Sequence, residues 1–235
     1  YGAIDYLNEA DWAEYDLRYS LEVYDVADDY TNAVPVKDRM VQIVDKYEPV
    51  AFDLRLVPNR NYHFVVFADF VPQGASAEAN TDIQKDLGLH HTIGDNLGQI
   101  SIKNDGINNE LTDAYFATKD IKISNSVAQD IVLRRPYGKV RVIATDLHEL
   151  NLNVEPKSVK VTYEAAHRAT FNAVTGAIDA EYETREYVNV YNDIKKTDMD
   201  RHIYTGFNNN EYKVKNANGE VRNTHMTLFT DYILA

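Results

Sequence analysis

The stretch "NYHFVVFADFV", residues 61–71, decides the fold, because it is apolar on both faces of an extended chain. A strand with one solvated face alternates apolar and polar residues, whereas a strand covered on both faces is a near-continuous apolar run. The stretch therefore predicts a central β-strand.

Two stretches before it alternate with the period of a strand. In "DLRYSLEVYDV" (16–26), Leu17, Tyr19, Leu21 and Val23 share one face, and Arg18, Ser20 and Glu22 share the other. "PVAFDLRLVP" (49–58) repeats the pattern, with Val50, Phe52, Leu54 and Leu56 expected to point inward. Since "PNRN" (58–61) carries Pro and Asn turn signals, this second strand and the central strand are expected to form a hairpin.

The pattern breaks between Pro72 and Asp95, which read as a long excursion with at most one short helical turn. Such a loop in a compact domain is usually functional or poorly ordered. Short strands are predicted to follow at Ile100–Ile102, Ala114–Ala117, Ile121–Ile123 and Ile131–Leu133.

A second unit is predicted to begin near residue 147, which divides the chain into β-sandwich domains at 1–146 and 147–235. Its strands are expected in "PKSVKVTYEA", "REYVNVY" and "HMTLFTDYILA". In the chain as a whole, short helical pieces are expected near Asn8–Tyr15 and Ala165–Thr175. The chain stops inside an apolar strand pattern, and an unpaired apolar edge is an aggregation hazard. We therefore expect residues beyond Ala235 that complete the C-terminal domain.

The composition excludes several classes of function. The net charge of −13 opposes binding to nucleic acids or anionic membranes, which need a basic surface. The absence of cysteine excludes thiol catalysis, cysteine–zinc sites, iron–sulfur clusters and disulfides. The 17 tyrosines are typical of aromatic strand faces, with an aromatic platform for carbohydrate or peptide as the alternative.

No motif in the chain specifies catalytic, cofactor-binding or metal-binding residues. The glycines at 88, 94 and 98 match neither the dinucleotide fingerprint nor a P-loop. Adjacent strand residues point to opposite faces, so His90 and His91 are interpreted as surface-loop histidines rather than zinc ligands. Asp25, Asp28 and Asp29 form an acidic group that favours a solvated turn over a calcium site, because the twelve-residue calcium loop is missing.

The stretch "LRRPYGKVRVIATD" (133–146) concentrates four basic residues, Arg134, Arg135, Lys139 and Arg141. Three interpretations stay open: an anion site with all four on one accessible surface, a framework strand whose cations pair with carboxylates, and an edge that docks a partner strand. The framework strand is favoured, because proline suits the first position of a strand. We expect Pro136 to open the strand, with Val140 and Val142 buried.

Five stretches occur in the order seen in one family of Bacteroidales surface proteins: "YDLRYSLEVYDV", "FDLRLVPNRNYHFVVFADFV", "LTDAYFA", "IVLRRPYGKVRVIATDL" and "VTYEAAHRATFNAVTG". Over about residues 15–175 the chain resembles the fimbrillin-like fimbrial subunits and cell-adhesion proteins. The resemblance implies tandem transthyretin-like β-sandwiches and no catalytic activity. The sequence itself predicts few short helices and no cofactor or metal. The resemblance also implies export as a lipoprotein to the surface of the outer membrane, held there by a lipid anchor outside this sequence.

The partners that the resemblance implies are other fimbrial subunits or host and bacterial surface ligands. Polymerising members of this superfamily exchange a donor strand between subunits, which is a form of β-strand addition. Two alternatives are a surface glycan-binding β-sandwich that uses exposed tyrosines and, less favoured, an acidic hydrolase on the same fold. Most tyrosines lie in strand patterns, which favours the structural, non-enzymatic interpretation.

Overall fold

A computed structural model of the chain describes residues 14–26, 34–77, 81–103, 110–144, 158–163, 167–178, 182–183, 186–190, 213–215, 221–223 and 226–234. The strands in chain order are β1 (Tyr15–Asp25), β2 (Met40–Val44), β3 (Arg60–Pro72), β4 (His91–Ile93), β5 (Ile100–Ile102), β6 (Ala114–Ile123), β7 (Tyr137–Ala144), β8 (Ser158–Thr162), β9 (His167–Arg168), β10 (Thr170–Asn172), β11 (Ala177–Ile178), β12 (Tyr182–Glu183), β13 (Glu186–Val190), β14 (Lys213–Lys215), β15 (Val221–Asn223) and β16 (Met226–Leu234). Helix in these ranges is limited to α1 (Thr81–Asp86) and a 3-10 turn at Glu110–Thr112. The all-β prediction is confirmed.

The largest sheet is antiparallel, with strand order β2-β1-β3-β6. β3 pairs with β1 on one side and with β6 on the other, and every residue from Tyr62 to Val71 is buried. The apolar run therefore predicted the central strand correctly.

A second antiparallel sheet has the order β11-β10-β5-β4, and β7 pairs separately with β16. One buried cluster contains Val65 and Phe67 from β3, Ile100 from β5, Phe171 from β10 and Tyr232 from β16. The main core thus lies between the two four-stranded sheets and is completed by the β7–β16 pair.

The predicted hairpin between residues 49–58 and β3 is wrong, because both edges of β3 are occupied by β1 and β6. Residues 51–57 form no strand, yet Phe52, Leu54 and Leu56 pack against the outer face of the large sheet. Their alternation comes from packing across a sheet and not from a hydrogen-bonded ladder.

Other predicted elements have mixed outcomes. Ile100–Ile102 is a strand with the predicted bounds, and the excursion after Pro72 contains one short helix, α1. The two strands predicted between 114 and 123 are one continuous strand, β6. Residues 131–133 form no strand, and the short helix predicted at Ala165–Thr175 is replaced by β9, β10 and a turn. The helix predicted near Asn8–Tyr15 falls almost entirely outside the described residues.

The predicted domain boundary, after residue 146, lies outside the described residues, so the division into 1–146 and 147–235 stays a prediction. β10 follows that position and pairs with β5, while β16 follows it and pairs with β7. Strands from both sides of residue 147 therefore share sheets. The premise that the final apolar strand is unpaired is wrong, since β16 pairs along β7 with Phe229, Tyr232 and Leu234 buried. Whether the C-terminal domain continues beyond Ala235 stays a prediction.

Candidate docking strand

β7 begins at Tyr137, directly after Pro136, which confirms the predicted start of the strand. Proline has no backbone N–H, so at this position it costs the ladder no hydrogen bond. β7 pairs antiparallel with β16 from Tyr137 opposite Leu234 to Ala144 opposite Met226. In the part of the chain that the structure describes, β16 is the one strand paired with β7.

Val140 and Val142 are 40% and 42% exposed, so the prediction that they are buried is wrong. The other face of β7 meets the main core, where Tyr137 is only 7% exposed. Lys139 shares that inner face and places its Nζ atom 5.2 Å from the centre of the Tyr232 ring. A lysine stem can cover apolar surface, and its charge can lie over an aromatic ring. Alternation thus identified two faces but not which one is covered.

The basic residues before β7 have separate roles. Arg135 donates from Nε to Asp113 at 2.8 Å and forms a second contact from Nη2, also at 2.8 Å. Burial raises the pKa of Asp113, and the Arg135 guanidinium opposes that rise. Arg134 is exposed, with its guanidinium 5.3 Å from the centre of the Phe116 ring. The framework interpretation is confirmed for Arg135.

The anion-site hypothesis required four cations on one accessible surface, and two of them do not meet that condition. Arg135 is committed to Asp113, and Lys139 lies on the inner face of β7. The structure describes the backbone of Arg141 in β7 but not its side chain. The basic stretch therefore does not present a cluster of available cations.

A buried carboxylate lies beside the exposed valines. Asp231 is opposite Val140 in the β7–β16 register and is 1% exposed. It accepts hydrogen bonds from the Tyr163 hydroxyl at 2.6 Å and from the Tyr232 N–H at 2.9 Å. No cation is among its contacts in the described part of the chain. We call Val140, Val142, Tyr163 and Asp231 the β7 outer face.

Tyr163 flanks this face with an aromatic ring. The ring centre lies 4.0 Å from that of His167 and 6.3 Å from that of Phe229. The Nε2 atom of His167 is buried and has no hydrogen-bond partner among the described residues. No local sequence pattern identifies this group, because Tyr163 and Asp231 are separated by 68 residues along the chain.

The polar face of β1 is buried against the main core, which alternation did not predict. Arg18 lies opposite Asp69 of β3 and donates to both of its carboxylate oxygens, at 2.8 and 2.7 Å. It also donates to the backbone oxygen of Gln84 at 2.6 Å, and both charged side chains are fully buried. Since Gln84 belongs to α1, this pair attaches α1 to the large sheet.

Glu22 forms a second buried ionic group on the same face of β1. It accepts from Arg39 Nε at 2.8 Å and from the Leu97 N–H at 2.8 Å. The Tyr24 hydroxyl also donates to it, and burial together with the charge of Glu22 raises the pKa of Tyr24. These donors use the carboxylate lone pairs, so Glu22 serves as a framework acceptor.

The paired histidines are buried, so their interpretation as surface-loop residues is wrong. His91 is fully buried, with its Nε2 atom 2.8 Å from the Tyr137 hydroxyl oxygen and its ring 5.6 Å from that of Phe67. Burial lowers the pKa of His91 to about 4. His90 is 8% exposed. The described residues contain no group of three or more side chains that could hold a metal ion.

The acidic group after β1 is described only at Asp25. Asp25 is 8% exposed and accepts from Arg60 Nη1 at 2.9 Å, so it does not belong to a solvated turn. Asp28 and Asp29 lie outside the described residues.

Comparison with known proteins gives one family. The model of a family of unknown function, DUF6562, matches residues 3–235, and the chain therefore belongs to that family. No curated protein and no solved structure matches the chain significantly. Among the described residues, no helix has the length and apolar character needed to cross a membrane.

Proposed function

We propose that this member of the DUF6562 family is a non-enzymatic cell-surface protein, a fimbrial subunit or fimbria-associated adhesin, that docks by β-strand addition at β7. The observation that carries the proposal is the exposure of Val140 and Val142 on a strand whose described pairing is with β16 alone. Two exposed valines at alternate positions on one strand offer an apolar surface that solvent does not favour.

Strand addition suits this surface for a physical reason. A partner strand beside β7 gains main-chain hydrogen bonds, and its alternate side chains meet Val140 and Val142. Backbone bonds supply affinity that depends little on sequence, while the side-chain contacts supply specificity. The sheet behind β7 is held by the core contacts of Tyr137 and Tyr232, so the docking strand needs little rearrangement.

The proposal extends to location and to the finer fold. We place the protein at the outer membrane surface as an exported lipoprotein, with its fold a tandem of transthyretin-like β-sandwiches. The support is the order of the five stretches over about residues 15–175, together with antiparallel sheets in the described chain. The partners proposed are other fimbrial subunits or host and bacterial surface ligands.

The non-enzymatic assignment is supported by what the buried charged groups do. These groups form ion pairs with one another and hydrogen bonds with backbone oxygens inside the core. The pairs are Arg18 with Asp69 and Arg39 with Glu22. A catalytic acid or base has to reach a substrate atom, and these groups are shielded from solvent. A purified protein that hydrolyses a glycoside or ester, with the activity lost on replacing a single acid, would contradict this assignment.

Glycan binding through exposed tyrosines is not supported as a second function. Each tyrosine whose burial is described is buried or half-buried: Tyr15, Tyr19, Tyr24, Tyr47, Tyr62, Tyr115, Tyr137, Tyr163 and Tyr232. A stacking platform for a sugar ring needs an open aromatic face.

Site-specific crosslinking tests the proposal, because the natural chain has no cysteine. A single Val142→Cys variant carries a photoactivatable label on β7, and the matched control is Val132→Cys, at a valine that is 86% exposed and outside any strand. On intact cells that produce the protein, we expect a partner adduct from position 142 and not from position 132. We also expect protease added outside the cells to degrade the protein.

Two results would contradict the proposal. Equal adduct yields at the two positions would show that β7 is not a docking strand. Protection of the protein from external protease in intact cells, with degradation after lysis, would exclude the cell surface.

A further inference from the structure

We propose that His63 is a proton-dependent clamp between the two four-stranded sheets. Its charged ring holds both Asp120 of β6 and Val174 in the turn after β10, whereas its neutral ring keeps Val174 and releases Asp120. The inference goes beyond the proposed function and does not depend on it, because the clamp lies in the core and not at β7.

Both ring nitrogens of His63 face hydrogen-bond acceptors. Nδ1 lies 2.6 Å from Oδ1 of Asp120, and Nε2 lies 2.9 Å from the backbone oxygen of Val174. A carbonyl oxygen and a carboxylate oxygen can only accept, whereas a neutral imidazole has one N–H and an imidazolium has two. The ring therefore donates to both oxygens only when it is charged.

The clamp joins elements of different sheets. His63 is 6% exposed and lies opposite Asp120 where β3 pairs with β6 in the large sheet. Val174 is 4% exposed and lies in the turn between β10 and β11 of the second sheet. A single side chain on β3 thus connects its neighbouring strand to the opposite layer of the core.

The other groups around the ring keep their charge while histidine titrates. Tyr24 lies opposite the ring on β1, and burial, together with the charge of Glu22, raises its pKa. Lys122 is exposed and lies two residues from Asp120 on the same face of β6. Residues 169–178, which include the turn, contain no titratable side chain. Since histidine is the side chain that ordinarily changes charge between pH 5 and 8, the ring is the group here that responds in this range.

Burial decides which contact the neutral ring loses. A neutral ring has one N–H for two acceptors, so one of them has to be given up. The oxygen of the buried Val174 would lose its donor without gaining water, which is unfavourable. The side chain of Asp120 is 62% exposed and can turn into solvent. The proton therefore stays on Nε2, and Asp120 is released at β6, the last strand in the order of the large sheet.

Nitrogen NMR of the full chain tests the protonation states directly, and His63→Gln assigns the His63 signals among the seven histidines. Between pH 5 and 8, we expect both ring nitrogens to be protonated at the acidic end and Nε2 alone at the alkaline end. The carboxyl carbon of Asp120 should shift over the same pH range. A ring that is neutral at the acidic end would refute the clamp. A neutral ring with its proton on Nδ1 would refute the release of Asp120.

Asp120→Asn is the decisive variant, because its amide can donate to Nδ1 of a neutral ring, and both ring contacts then form without a charge. Asp53→Asn is the control, since Asp53 is exposed and its replacement changes the net charge equally. In the natural chain the folded state holds a proton that the unfolded state releases, so stability should fall as the pH rises through this range.

Urea unfolding at the two ends of the range measures this difference. From the acidic to the alkaline end, we expect the equilibrium constant for unfolding to rise about fivefold more in the natural chain and in Asp53→Asn than in Asp120→Asn. That factor equals about 1 kcal/mol, and it is modest because Asp120 is largely exposed. The titration of His91 is common to all three chains and cancels in the comparison.

Two results of the urea experiment would overturn the inference. An equal pH dependence in the natural chain and Asp120→Asn would show that the pair does not couple folding to the proton. A pH dependence that is lost equally in Asp53→Asn and Asp120→Asn would assign the effect to the overall charge. If Asp120→Asn does not fold, the nitrogen signals of the natural chain decide the question alone.

Discussion

Replacing Asp69 by alanine is expected to lower the free energy of unfolding by about 3 to 5 kcal/mol, the usual cost of removing one partner from a buried ion pair. Arg18 is fully buried and donates to both oxygens of Asp69, at 2.8 and 2.7 Å. After the replacement it keeps only its contacts with Gln84, both from Nη1. A charged guanidinium then stays in the core without a counter-charge.

Equilibrium unfolding in urea measures this loss. With a slope near the upper end for domains, about 2 to 3 kcal/mol/M, the midpoint should fall by about 1 to 2.5 M. The control is Lys46→Ala, because the Lys46–Glu48 pair has side chains that are 64% and 41% exposed. Exposed pairs contribute about 0 to 1 kcal/mol, so this variant should be close to the natural chain.

The double variant Arg18→Met with Asp69→Leu completes the experiment. Replacing both members of a buried pair by apolar side chains is often neutral or stabilising, so most of the loss should be recovered. A cost below about 1 kcal/mol for Asp69→Ala alone would refute the reasoning, because the buried Arg18 would then not depend on Asp69.

Three further predictions concern the same core. Gly88→Ala should destabilise by about 1 to 3 kcal/mol in urea unfolding, because a Cβ atom there would lie 2.4 Å from Asp69 Oδ2 and 2.5 Å from the backbone oxygen of His91; an unchanged midpoint would contradict the close approach. Burial lowers the pKa of His91 from 6.5 to about 4, so the unfolded chain takes up the proton first and stability should fall by about 3 kcal/mol as the pH drops from 6.5 to 4. His91→Phe should reduce that pH dependence, and an equal slope in the variant would assign it to other groups. Arg135→Met should raise the pKa of Asp113 further, measured by NMR titration, and lower stability by about 3 kcal/mol; an unchanged Asp113 titration would show that Arg135 does not stabilise the carboxylate.

The sequence predicted the elements that depend on local pattern. An apolar run gave β3, and alternation gave β1, β5, β8 and β16. It failed where a pattern has two physical causes. Residues 51–57 alternate because Phe52, Leu54 and Leu56 pack on a sheet, and the same alternation would arise in a paired strand.

The candidate site could not be predicted, because its contacts join distant parts of the chain. Tyr163 and Asp231 of the β7 outer face are 68 residues apart. The same holds for the buried framework, where Arg18 and Asp69 are 51 residues apart. Nothing local to β1 shows that its polar face is covered. The exposure of Val140 and Val142 was missed for the related reason that Tyr137 and Lys139, the more polar positions, take the inner face.

Burial of both faces of β1 raises the question of what fixes its register against β3. Apolar burial alone discriminates weakly between the correct register and a two-residue slip, which keeps every side chain on its own face. The Arg18–Asp69 pair does discriminate, since a two-residue slip sets Arg18 opposite Phe67 or Val71 and leaves two buried charges unpaired. We therefore infer that this pair contributes register more than stability. The double variant tests the inference, because a chain of natural stability should then show additional, slowly exchanging amide resonances from shifted registers; a single set of resonances would assign register to apolar packing.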